Sequence, residues 1–275
     1  MGIRRKKINP AFNECSNSAL KLSKFNGHSV HIVEANNQQS LNLFFKAYKD
    51  IYEPAFPIPE ERESHEEFLK SLAGESHNAR IAIAIIGENM DTKSPTLKGI
   101  VIGYYYHKED VGLLAYTATS PEHRNQGLGR IQVDVFGQAL LSLAKSNGGK
   151  LGGFFLECND PEKVKPEEDS FDPATRIKIF QKWGARVMPV DYIQPPVAKG
   201  ADNCPRLKLL AYPHPETGQY PTLNGIQAFI KGIYAACAQY YGCTPEQNPD
   251  YIKIMQQIAS MRQDNTLPKQ KPPSP

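Results

Sequence analysis

Three strand-length apolar segments follow one another with only short polar connections, and a glycine loop leads from the third into a long amphipathic segment. The three segments are residues 80–86, 97–107 and 113–119, joined through Lys93-Ser94-Pro95 and Glu109-Asp110-Val111-Gly112. Connections this short make hairpins, whereas a parallel pair needs a crossover of about a dozen residues or more. The core therefore begins as an antiparallel meander, not as a doubly wound parallel sheet.

The flanking segments complete an α/β pattern. Residues 29–35 alternate apolar with polar and predict a first strand. Leu41, Phe44, Phe45 and Tyr48 recur at helical spacing, predicting a helix to about Ile51, which the proline-rich stretch 53–59 breaks. A second helix is expected over 60–72, with Glu60, Glu61 and Glu63 in its first turn, where carboxylates suit the helix dipole. After the meander come a loop over 120–127 and a helix over 128–146, ended by Asn147-Gly148-Gly149. Residues 152–158 read as a buried strand and 159–170 as a polar insertion. Asp172 caps a helix with Pro173 in its first turn, and Gly184 stops it. Residues 187–190 and 206–212 are the closing strands, and two further helices are expected over 223–241 and 250–261.

This pattern gives a loose arm at 1–27, an α/β domain at 28–213, a helical extension at 214–263 and a disordered Pro- and Lys-rich tail at 264–275. Tyr234, Tyr240 and Tyr241 in the extension could pack on the domain, line an acceptor pocket or form the seam of a homodimer.

Composition narrows the partners. The formal net charge is +3, and Arg4, Arg5, Lys6, Lys7, Lys269 and Lys271 place much of the basic charge at the ends. No basic stripe interleaved with aromatics appears, so nucleic acid is not an expected partner. The five cysteines, at 15, 158, 204, 237 and 243, have no Cys-x-x-Cys spacing. That argues against a disulfide framework and a zinc site, and for a reducing compartment. His28 and His31 fall on opposite faces of a strand, so no metal is expected there. The apolar run 81–86 is far too short to span a bilayer, and no secretory signal opens the chain. The expectation is a soluble cytoplasmic protein with no membrane partner.

The chemistry points to the loop Arg124-Asn125-Gln126-Gly127-Leu128-Gly129-Arg130. Glycines at this spacing let backbone amides converge, and the first-turn amides of a helix lack an intrahelical acceptor. With the helix dipole and two arginines, they suit a diphosphate. A surface turn before an ordinary helix is the plainer alternative. A dinucleotide fingerprint is excluded by the glycine spacing and by the antiparallel context.

The run Leu114 to Arg130 (LAYTATSPEHRNQGLGR) resembles the acetyl-coenzyme A motif of the GNAT superfamily of N-acetyltransferases. Phe180-Gln181-Lys182-Trp183-Gly184-Ala185 and the stretch from Tyr52 to Glu63 are similar to other parts of bacterial members, so the resemblance spans about residues 29–212. It implies the GNAT fold, a mixed and mostly antiparallel sheet flanked by helices, here with a C-terminal helical extension. It implies acetyl-coenzyme A as cosubstrate and transfer of its acetyl group to a primary amine of a small molecule. Main-chain groups of Thr117, Ala118 and Thr119 would pair with the pantetheine arm. Amides from Gln126 to Arg130 would hold the diphosphate, with Arg124, Asn125 and Asn159 also at the cofactor.

Amine attack requires a base, and the leaving thiolate gains from an acid. Glu157, at the end of the strand beside the expected thioester, is the candidate base, with Asp160 behind it. Pairing of Glu157 with Arg176 is the structural alternative. Where family members place a tyrosine acid, four residues before Gly184, this chain has Phe180. Either another tyrosine serves as acid, with Tyr116 the candidate and Tyr192 the other that could serve, or the thiolate leaves unassisted. Glu60, Glu61 and Glu63 could attract a cationic acceptor or simply form a solvated acidic face. Two other functions stay open: transfer of a longer acyl group, and a coenzyme A-binding regulatory or partner protein with little turnover.

Overall fold

The computed structural model describes residues 22–59, 62–75 and 78–263. Its strands are β1 (Leu22–Phe25), β2 (His28–Ile32), β3 (Arg80–Glu88), β4 (Thr96–Tyr106), β5 (Val111–Thr119), β6 (Phe154–Asn159), β7 (Arg186–Val187) and β8 (Leu207–Tyr212). They form one sheet in the order β1-β2-β3-β4-β5-β6-β8-β7. The pairs β1–β2, β2–β3, β6–β8 and β7–β8 are antiparallel, while β5 and β6 run parallel. The helices are α1 (Gln38–Ala47), α2 (Glu53–Ala55), α3 (His65–Leu72), α4 (Leu128–Ser146), α5 (Pro173–Lys182), α6 (Leu223–Tyr241) and α7 (Pro249–Gln263). This is the expected mixed, mostly antiparallel architecture with a C-terminal helical extension.

Several boundaries differ from expectation for local physical reasons. β1 falls within the stretch expected to be a loose arm. Asn26 and Gly27 both adopt positive φ, at 47° and 83°, and close a two-residue hairpin that pairs Phe25 with His28. α3 starts at His65, not at residue 60, because Ser64 and Glu67 form a reciprocal capping box. Glu60 and Glu61 lie outside the described residues, as do residues 1–21 of the arm and the tail 264–275. α1 ends at Ala47 and passes through a π-helical turn, Tyr48–Tyr52, into α2. β7 is two residues long.

The chain forms two compact units. Within the described residues, the first takes 22–75, 81–101 and 117–135, and the second takes 78–80, 102–116 and 136–263. In the first, α1 docks through Leu41, Phe44 and Ala47, and Phe44 meets Phe68 of α3 edge-on at 6.2 Å. In the second, Tyr106, Phe155 and Leu209 from the strands share one apolar core with Phe229 and Ile230 of α6 and Ile254 of α7. Phe155 stacks on Phe229 with centroids 4.6 Å apart. A Cβ at Gly232 would stand 2.9 Å from the Cβ of Tyr106, so only glycine lets α6 approach this closely. The extension beyond residue 213 is thus part of the second unit's core. Its Tyr234 is fully buried, whereas Tyr240 is exposed.

Candidate functional site

In the first unit the site is built from the end of β5 and the start of α4. Asn125 and Gly127 both take left-handed backbone angles, with φ of 62° and 78°. No atom lies within 4 Å of where a Cβ on Gly127 would stand. Glycine is needed there for its backbone angle and not for want of room. Arg124 to Gly127 are exposed, while Leu128 is buried and seats the helix. The bond from Ile131 N to Gly127 O, at 3.5 Å, opens the helical ladder. The amides of Leu128, Gly129 and Arg130 therefore precede any intrahelical acceptor.

The side chains around the loop brace it. Arg124 Nε donates to Thr119 O at 3.4 Å, Gln126 Nε2 to Glu122 O at 3.3 Å and Arg130 Nε to Asp134 at 3.0 Å. Both arginines stay exposed. Behind them, Thr117 Oγ1 is buried with no hydrogen-bond partner among the described residues. Amides without an intrahelical acceptor at a helix start, two exposed arginines and a spare hydroxyl suit an elongated ligand carrying phosphate.

Gln132 is a residue that the sequence reading missed. It is almost fully buried. Its Nε2 donates to Ala118 O at 2.6 Å and to Ile100 O at 3.0 Å, and its Oε1 accepts from Thr119 Oγ1 at 2.9 Å. It holds the Ala118 carbonyl and the Thr119 side chain, two of the residues expected at the cofactor. A signal existed: Gln132 stands four residues from both Leu128 and Phe136 on the buried stripe of α4, where a polar side chain must find partners.

In the second unit, Glu157 lies on β6 opposite Leu209 of β8. The Tyr192 hydroxyl donates to one carboxylate oxygen, and Gln194 Nε2 donates to the other at 2.8 Å. Burial of the carboxylate raises its pKa to about 7, against the lowering effect of these two donors. The residue as a whole is half-buried. Burial first, and then the Glu157 charge, push the Tyr192 phenol well above its ordinary range.

The alternative pairing of Glu157 with Arg176 does not form. Arg176 binds Asp169 at 2.8 Å. The same Asp169 accepts from Asn159 Nδ2 at 2.8 Å, so Asn159 is tied to the insertion that follows β6. Asp160 is fully buried and takes Lys208 at 3.1 Å, while its Oδ1 accepts from the Glu162 amide. These bonds make it a structural carboxylate. Phe180 packs edge-on against Trp183, with centroids 5.6 Å apart. Tyr116 is half-buried on β5, two residues past the Leu114–Leu156 pair. Cys158 is buried, and burial pushes its thiol up to about 12, which suits packing and not nucleophilic attack.

A putative GNAT-family acetyltransferase from Bacteroides thetaiotaomicron superposes with a TM-score of 0.50 at 18% identity, over 78% of this chain and 99% of that one. The chain has the GNAT fold. The ribosomal-protein-S18-alanine N-acetyltransferase from Escherichia coli matches with a TM-score of 0.39 at 14% identity, over 67% of this chain and 94% of that one. A spermidine N-acetyltransferase chimera from Vibrio cholerae matches at 0.42 and 13%, over 67% and 94%. No family model matches the chain, and no curated protein does. In this GNAT fold, among the described residues, no helix is long and apolar enough to cross a membrane. No group of three or more His, Cys, Asp or Glu side chains among them could hold a metal ion.

Proposed function

We propose that the protein is an N-acetyltransferase that moves the acetyl group of acetyl-coenzyme A to a primary amine of a small molecule in the cytoplasm. The observation that carries this reading is the pair of left-handed residues, Asn125 and Gly127, opening α4 behind an exposed loop in a GNAT fold. The amides from Gln126 to Arg130 hold the diphosphate, Arg124 and Arg130 add charge at its rim, and main-chain groups of Thr117 to Thr119 receive the pantetheine arm. The unpartnered Thr117 hydroxyl supports that placement. When bound, the coenzyme supplies an acetyl group activated as a thioester.

Glu157 serves as the base. A carboxyl group with a pKa of about 7 is half ionised at neutral pH and can take a proton from an ammonium. Each of its oxygens has one donor and keeps a second acceptor site. Tyr116 protonates the departing thiolate. A thiol with a pKa of about 8.5 leaves adequately without help, so the acid contributes less than the base.

The test is calorimetric titration with acetyl-coenzyme A, free coenzyme A and longer acyl forms, followed by thiol release against a panel of amines. Binding with amine-dependent thiol release supports the reading. Binding without release under any amine makes the chain a coenzyme-binding protein, and absence of binding at low salt overturns the reading.

A further inference from the structure

We infer that the C-terminal helices α6 and α7 act as the frame that positions Glu157, by holding the segment Asp191–Gln194 whose Tyr192 and Gln194 grip its carboxylate. The inference rests on the reading of Glu157 as the base.

Three anchors from the extension meet three consecutive residues of this segment. The Asp191 amide donates to Gln257 Oε1 of α7 at 3.0 Å. The Tyr192 ring lies 6.2 Å from the ring of Phe229 of α6. The Tyr234 hydroxyl of α6 donates to Ile193 O at 2.9 Å. Gln194 is fixed on its other side by a two-way main-chain bridge to Cys204, at 2.9 Å in each direction.

These contacts do more than packing requires. The apolar core of α6 and α7 would exclude water without a buried tyrosine hydroxyl, and a buried hydroxyl is tolerated only when it is bonded. Tyr234 is fully buried and directs its bond at Ile193, between the two residues that hold Glu157. A carboxylate gripped at both oxygens keeps one orientation, and a base is effective only when its free lone pair is aimed at the proton it removes.

The titratable groups around Glu157 are few. Tyr192 touches it, Tyr106 and Tyr234 act on Tyr192 from β4 and α6, and Cys158 is its neighbour on β6. Among the described residues no cation pairs with Glu157. Its state is therefore set by burial and the two donors, and a shift of the donors is readable in its titration.

The experiment follows the Glu157 carboxyl stretch by infrared titration of the full chain without coenzyme or amine. The band is identified by subtracting the spectrum of Glu157→Gln. Gln194→Leu removes a hydrogen bond to a charged group and should move the midpoint up by about one pH unit. Tyr234→Phe and Gln257→Leu, both remote from the carboxylate, should move it in the same direction by less. In the rate assay both should lower kcat, carry the acidic limb to higher pH and leave the KM for acetyl-coenzyme A unchanged.

If Tyr234→Phe and Gln257→Leu melt cooperatively and keep the wild-type midpoint and limb, the inference is overturned. If one of them fails to fold, the other decides. A shifted midpoint in a protein that neither binds coenzyme A nor releases thiol would sink the acetyltransferase reading while leaving the frame in place.

Discussion

Thr119 donates its hydroxyl hydrogen bond to Oε1 of Gln132 at 2.9 Å, tying the last residue of β5 to the second turn of α4. The amide of the same glutamine holds the carbonyls of Ala118 and Ile100. Gln132→Leu keeps the volume and strands those acceptors, so it should cost about 2 kcal/mol, the scale of an unmet buried hydrogen bond. Denaturant melts check the stability. Calorimetry should show weaker acetyl-coenzyme A binding, because the strand end proposed to receive the pantetheine arm is no longer fixed.

Gly127→Ala isolates the backbone contribution of the loop. Nothing stands near the new methyl group, so the cost is that of the left-handed angle, about 1–2 kcal/mol. The loop would relieve that strain by turning its amides away from the proposed diphosphate site. Coenzyme affinity should therefore fall while the melt stays cooperative. Unchanged affinity would show that the loop geometry does not hold the ligand.

Glu157 should impose a pH dependence of opposite kinds on rate and on stability. Its folded pKa of about 7 lies above the ordinary carboxylate value, because burial disfavours the charge. As the proposed base it would work when ionised, so kcat/KM should rise through about pH 7. For stability, the folded protein keeps the proton between about pH 4.5 and 7 where the unfolded chain has lost it, so stability falls across that window and then levels off.

Glu157→Gln removes that burden, since the new amide oxygen can still accept from Tyr192 and its NH2 can donate to the Gln194 side-chain oxygen once the Gln194 amide flips. The variant should be more stable than the wild type at pH 8, by on the order of 2–3 kcal/mol at most, and equal to it near pH 4. Its turnover should drop on the order of 10²–10⁴-fold with coenzyme binding intact. Paired melts at the two pH values and single-turnover rates check both claims.

Asn159→Ala separates two roles. Burial pushes the Asp169 carboxyl up, but the hydrogen bond from Asn159, the Arg176 charge and the Phe171 amide outweigh it and hold its pKa below the usual range. Asn159 therefore serves the insertion, and its loss should cost about 1–3 kcal/mol of stability, as for a hydrogen bond to a charged group. The KM for acetyl-coenzyme A should stay unchanged. A raised KM with unchanged stability would return Asn159 to the coenzyme.

How much was legible from the residues depended on the range of the interaction. α4 and α6 have the bounds their apolar spacing predicts, Leu128–Ser146 and Leu223–Tyr241. A helix closes its hydrogen bonds within four residues, so its signal is local. The loop at 124–130 was legible for the same reason: its conformation depends on Asn125, Gly127 and the helix start beside them. The start of α3 differs from the residue 60 that Pro59 and the glutamates at 60, 61 and 63 suggest, because the Ser64–Glu67 capping box fixes it at His65.

The sequence by itself determined the meander, the glycine loop and the long helices, since each follows from spacing or from the chemistry of neighbouring residues, while the candidacy of Glu157 came from the resemblance to the GNAT superfamily. Tertiary structure alone decided that β8 lies between β6 and β7, that Arg176 goes to Asp169, and that Tyr192 and Gln194 close on Glu157. Those donors lie 35 and 37 residues away along the chain. No periodicity reports a hydrogen bond across that distance, because it forms only once the sheet and the helices packed on it bring the two segments together.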